Sequence, residues 1–164
     1  MLLNKTMTDR QNALNYDSLS KELNQFRMLP DDESFGKYVS KIIESKKKTQ
    51  AKLSDRTGVP KPTISRYLRD MEDNMKRDYV IAIVMALEIS SMQIRTALNI
   101  AGVSVDYPIK RNQIIQLCLE YSSRSKPDKI TIADCNLFLL SKGFQPLTAL
   151  RYDKTKETDY ESAW

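Results

Sequence analysis

The sequence predicts an all-α protein. Apolar residues recur at three- and four-residue spacings along most of the chain, while strand-like alternation is scarce. Only four glycines occur, at positions 36, 58, 102 and 143, which leaves no glycine-rich phosphate loop. The expected architecture is a five-helix domain with a helical N-terminal extension and a C-terminal helical hairpin. Its boundaries fall at residues 1–33 for the extension, 34–105 for the domain, 106–150 for the hairpin and 151–164 for a charged tail.

The extension holds one weak helix over Ser18–Arg27, with Leu19, Leu23 and Phe26 on a face. In the domain, Tyr38, Val39, Ile42 and Ile43 give Ser34–Ser45 one apolar face, with Ser34 placed to cap its start. Val80, Ile83, Val84 and Leu87 do the same for Asp78–Leu87. Met92, Ile94, Leu98 and Ala101 mark a further helix, entered through Ser90 or Ser91 and ended by Gly102. After Pro108, Ile114, Ile115, Cys118, Leu119 and Tyr121 line a helix from Tyr107 to Tyr121. "SSRSKPDK" reads as a loop. Thr131 then caps a helix containing Ile132, Cys135, Phe138 and Leu139, stopped by Gly143. This pair is too small to fold alone, so it is expected to pack on the preceding helices or on another subunit.

The most informative stretch is "TQAKLSDRTGVPKPTISRYLRD", residues 49–70. Gln50–Thr57 reads as a short helix with Leu53 inward, and Gly58 suits a left-handed turn. Val59 plugs that turn, and Lys61–Arg69 forms a second helix with Ile64 and Leu68 inward. Two short helices about a glycine-centred turn make a helix-turn-helix. Lys61, Pro62, Ser65, Arg66 and Arg69 then share one exposed face, rich in donors and positive charge.

These residues resemble the helix-turn-helix core of the bacterial and phage XRE/Cro-type repressors. Gln50 matches the family's glutamine at the start of helix 2, Leu53 its buried leucine and Gly58-Val59 its turn. Ile64-Ser65-Arg66 matches the middle of its recognition helix. "FGKYVSKIIESK" is similar to its first helix, and "YVIAIVMALEIS" with "ALNIAG" to its fourth and fifth. The likeness spans residues 34–102. A weaker one to a C-terminal helical pair of XRE-like regulators from Gram-positive bacteria extends to residue 148. Departures are Ser54 where the family prefers alanine, Lys48 at a usual apolar position, and Ile43 where arginine is frequent. Pro60 replaces the usual Ser or Thr cap, and the loop "RDMEDNMKRD" lacks the customary glycine and is locally acidic.

The resemblance implies a sequence-specific double-stranded DNA-binding regulator, repressor-like and dimeric, with no cofactor. Its DNA-binding residues would be Thr49, Gln50, Lys61, Pro62, Thr63, Ser65, Arg66 and Arg69. Gln50 would hold a backbone phosphate and brace the recognition helix. Arg66 would read guanine O6 and N7, and Lys61 a guanine or a phosphate. Pro62 and Thr63 would touch a thymine methyl or simply start the helix, and Ser65 is open to either role. Lys46–Lys48, Arg69 and Lys76 are read as solvated charge available to phosphate.

Charge agrees with a polyanion partner. Of the net +5, residues 34–105 carry thirteen basic against seven acidic side chains, whereas residues 1–33 are net negative. Histidine is absent, which excludes histidine-ligated metals and Ser-His or Cys-His catalysis. Cys118 and Cys135 are expected to be buried core thiols, and no enzyme is predicted. No apolar run approaches a membrane span, and the chain is read as cytoplasmic. The alternative is a protein-interaction module, an antitoxin or adaptor, that keeps the fold as a scaffold and captures a partner through the hairpin or the extension. The acidic loop and missing cap motivate that alternative.

Overall fold

A computed structural model describes residues 33–106, 109–125 and 127–151, together with Asp17. The chain divides into two units, Met1–Glu33 and Ser34–Trp164. The expected helix at 18–27 and the charged tail beyond Arg151 lie outside the described residues. In the second unit the described residues form seven helices and no strand. They are α1 (Phe35–Ser45), α2 (Gln50–Thr57), α3 (Lys61–Leu68), α4 (Arg77–Ala86), α5 (Ser91–Ile100), α6 (Lys110–Ser122) and α7 (Ile132–Ser141). None is long and apolar enough to cross a membrane.

The helix ends follow from their capping chemistry. Ser34, Thr49, Ser90 and Thr131 each accept a backbone N–H three residues on, and Ser90–Gln93 and Thr131–Asp134 complete capping boxes. Helices α1, α3, α5 and α7 end with a left-handed residue after the cap: Lys47, Asp70, Gly102 and Gly143. At each, two backbone N–H groups fold back on the last turn, as Asp70 N to Tyr67 O and Met71 N to Arg66 O do after α3. The sixth helix starts at Lys110, with Ile109 exposed at its cap; the expected start at position 107 lies outside the described residues.

Helix α4 is the axis of the unit. It was expected to bury one face, yet every residue from Val80 to Leu87 is buried. The reason is its position: α2, α5, α6 and α7 all pack against it. The hairpin therefore packs on the preceding helices, with Ile114, Ile115, Cys118, Leu119, Ile132, Cys135 and Leu139 joining the shared core. Polar bolts reinforce the junction. Arg111 forks onto Asp78 in the first turn of α4 at 2.8 and 3.1 Å, and Arg77 reaches Asn112 at 2.7 Å. Cys118 and Cys135 are free buried thiols. Donating a hydrogen bond to Cys118 and burial both push the Cys135 thiol up, so it stays protonated.

Two apolar residues depart from expectation. Met92 and Phe138 were read as helix-face residues, but both are exposed. Met92 sits at the first turn of α5, outside the stripe formed by Ile94, Ala97 and Leu98.

Candidate nucleic-acid interface

The turn between α2 and α3 is built from short polar contacts. Gly58 adopts φ +76° and donates its N–H to Ser54 O at 2.9 Å. Ser54 Oγ donates across the turn to Val59 O at 2.7 Å, so the departure from alanine adds a hydrogen bond. Thr57 is buried, donates to Leu53 O at 2.7 Å and accepts Val59 N at 3.1 Å. Val59, fully buried, plugs the turn as expected. Pro60 makes no side-chain cap; its carbonyl accepts the N–H groups of Thr63 and Ile64.

Helix α3 buries Ile64, Tyr67 and Leu68. Lys61, Pro62, Arg66 and Arg69 are exposed on its other side, with Thr63 and Ser65 half-buried. At the start of α2, Thr49 is exposed and Gln50 half-buried. Tyr67 braces the far end by accepting Lys76 N at 2.8 Å, which ties α3 to the entry of α4. The expected site residues thus fall on α3 and on the N-terminal end of α2, either side of one turn.

The acidic loop after α3 is not free negative charge. Asp70, left-handed where a glycine would serve, accepts Ser34 Oγ at 2.6 Å and Gly36 N at 3.0 Å, capping α1. A Cβ on Gly36 would lie 2.5 Å from Leu68 O, so that close approach requires glycine. Glu72 pairs with Arg66, with Oε2 3.3 Å from Nε. Neither contact was anticipated, because each joins residues through the loop's fold rather than through a periodic pattern.

The Lys46–Lys48 run also differs from the solvated charge expected. Lys47 is exposed, with φ +53°. The Lys48 side chain is only 5% exposed and lies 3.8 Å from Glu88, and Lys46 donates to the Glu88 carbonyl. Arg56, at 3.0 Å, and Lys129 pair with the same Glu88 carboxylate. Burial, opposed by Glu88 but aided by the neighbouring cations, lowers Lys48 to about 8. For Glu88, burial pushes upward, but the Lys129 hydrogen bond and the surrounding cations outweigh it and hold the carboxyl below its usual value. Lys48 thus fills the apolar position that the sequence comparison suggested, as a cation. Glu88 carried no sequence signal, since its partners lie 32 to 42 residues away.

Residues 39–93, from α1 into α5, match the family model described as helix-turn-helix. No curated protein and no solved structure matches the chain. A short α2, a tight left-handed turn and a half-exposed α3 define a helix-turn-helix protein. Over that segment the match supports an XRE/Cro-type helix-turn-helix family, which is a DNA-binding one.

Proposed function

We propose that this protein is a sequence-specific, repressor-like transcriptional regulator that reads the major groove of double-stranded DNA with α3. The observation that carries this reading is the two-sidedness of α3: Ile64, Tyr67 and Leu68 fix it in the core while Lys61, Pro62, Arg66 and Arg69 face solvent. In this reading Arg66 contacts a guanine through O6 and N7, and Lys61 a base or a phosphate. Thr63, Pro62 and Ser65 line the same groove, and Arg69 reaches the backbone. Thr49 and Gln50, at the N-terminus of α2, hold a phosphate where the helix dipole favours an anion.

One such helix covers only a half-site, so a homodimer on two half-sites about 34 Å apart follows from groove geometry. Exposed Leu117, Leu137 and Leu140 on α6 and α7 support self-association through that side. The same exposed leucines favour the second reading, an adaptor that keeps the helix-turn-helix as a scaffold. Mobility shifts on a random duplex pool, at two salt concentrations and followed by selection, separate the two. Enrichment of a palindrome supports the regulator, and no retardation even at low salt overturns it.

A further inference from the structure

We infer that Glu72 is a specificity-determining residue that acts by positioning Arg66, an inference that rests on the DNA-reading role of α3. The carboxylate sits in the loop after α3, with Oε2 3.3 Å from Arg66 Nε, and Arg66 Nη2 lies 3.5 Å from Thr63 Oγ1. The guanidinium is thus held along its Nε edge by Glu72 and near one Nη by the helix itself. Glu72 faces Nε as an ion-pair partner, and of the guanidinium's five N–H groups one on Nη2 is given to Thr63. The remaining N–H groups on the two Nη atoms are left for a guanine O6 and N7.

The loop keeps Glu72 in place. Asp70 turns left-handed and is anchored to Ser34 and Gly36, and Met71 N closes onto Arg66 O at 2.9 Å. Two effects on DNA follow. A pre-oriented Arg66 loses less side-chain freedom when it meets its guanine. On any other sequence, a free arginine would swing to the nearest phosphate, but here Glu72 retains it and its own charge repels that phosphate. Glu72 therefore lowers random binding more than preferred binding, and raises the ratio between them.

Glu72→Gln in the full chain tests this, using the selected palindrome and a scrambled duplex of equal length. The side chain is half-exposed, and an unchanged melting temperature verifies folding. Affinity for scrambled duplex should rise by up to about fivefold, the range of an exposed charge pair. Its salt slope should steepen towards one further phosphate contact. The preferred site should change less, so the ratio falls. In an Arg66→Ala background the same substitution should leave the ratio unmoved, because the residue through which Glu72 acts is gone. A normally selective wild type with an unchanged ratio in Glu72→Gln overturns this inference alone. An equal shift on both backgrounds does likewise, reducing Glu72 to a general charge. A wild type that prefers no duplex overturns the groove reading and this inference together.

Discussion

The hydroxyl of Thr148 donates to the carbonyl of Thr57 at 2.5 Å, joining residues 91 positions apart. The contact closes a buried polar cluster behind the helix-turn-helix turn. Asn136, on α7, donates to Thr148 Oγ1 at 3.1 Å and to Leu150 O at 2.9 Å. Its Oδ1 accepts Leu147 N at 2.8 Å and Thr148 N at 3.4 Å. Every hydrogen-bonding position of that side chain is filled, which is the condition under which a buried amide rigidifies rather than weakens a core. The segment after α7 is thereby pressed against Gly58, where Thr148 Oγ1 and Leu150 Cβ would each lie 2.9 Å from an added Cβ.

Asn136→Leu keeps the branched heavy-atom shape and removes all four hydrogen bonds. Each buried group left unpaired costs about 1–3 kcal/mol, so a loss of at least about 3 kcal/mol is expected in urea unfolding. Thr148→Val, which strands the Thr57 carbonyl and one Asn136 N–H, should cost less, about 1–3 kcal/mol. Equal midpoints for wild type and Asn136→Leu would show that the cluster contributes nothing.

Gly58 and Gly102 are both left-handed, at φ +76° and +67°, but only Gly58 is crowded. Gly102→Ala should cost about 1–2 kcal/mol, the backbone penalty alone, since nothing lies within 4 Å of the new Cβ. Gly58→Ala adds the clash with Thr148 and Leu150 and should cost distinctly more. Parallel thermal melts compare them, and equal losses would remove the steric part of the argument.

Lys48 gives a pH signature. Its folded value, about 8, lies below the ordinary 10.5. Below 8 both folded and unfolded chains hold the proton, and the folded state bears the full cost of a desolvated cation. Between 8 and 10.5 the unfolded chain binds more protons, so this group makes stability rise with pH across that window. Lys48→Met should raise the melting temperature by a few degrees at pH 7 and remove that rise. A variant less stable at pH 7 would mean that the Glu88 pairing outweighs burial.

Glu88 works at the opposite end of the scale. Its depressed carboxyl contributes stability above the ordinary carboxylate range, and that stability is lost as pH falls through the lowered folded value. Glu88→Gln should therefore flatten the acid limb of the unfolding curve and destabilise the protein at neutral pH, where Arg56 and Lys129 lose their partner. Acid titrations of both proteins, followed by helical signal, compare the two limbs.

In the proposed regulator, reading and anchoring should separate on DNA. Arg66→Ala should cost about 1–3 kcal/mol on the preferred site and relax one base-pair position per half-site, with much less effect on random duplex. Exposed Lys47, which precedes α2, should behave differently. Lys47→Ala should weaken both duplexes by similar factors and reduce the salt slope by about one per site. A uniform loss from Arg66→Ala would move α3 out of the groove while leaving DNA binding intact.

Much of this architecture was legible because it depends on local pattern. The inward residues Leu53, Val59, Ile64 and Leu68, the caps Ser34 and Thr131, and the turn at Gly58 each follow from spacing or from one residue's backbone preference. What escaped depends on contacts distant in sequence. Burial of α4 on all sides requires the hairpin to cover it, and neither Asp70 under α1 nor Glu88 among its cations leaves a periodic trace. Lys48 shows the limit most clearly: within a run of lysines nothing distinguishes the buried one, except the apolar habit of that position in similar proteins.

The Thr57–Thr148 bond also has a consequence for how the protein is made. A ribosome moving at about 5–20 residues per second needs roughly 5–20 s to travel from Thr57 to Leu150. For most of that interval, from Leu68 onward, the nascent chain holds both α2 and α3 but lacks the strap that presses on Gly58. The helix-turn-helix is therefore synthesised early and finished late, its turn gaining the last of its buried neighbours only when nearly the whole hairpin has been made.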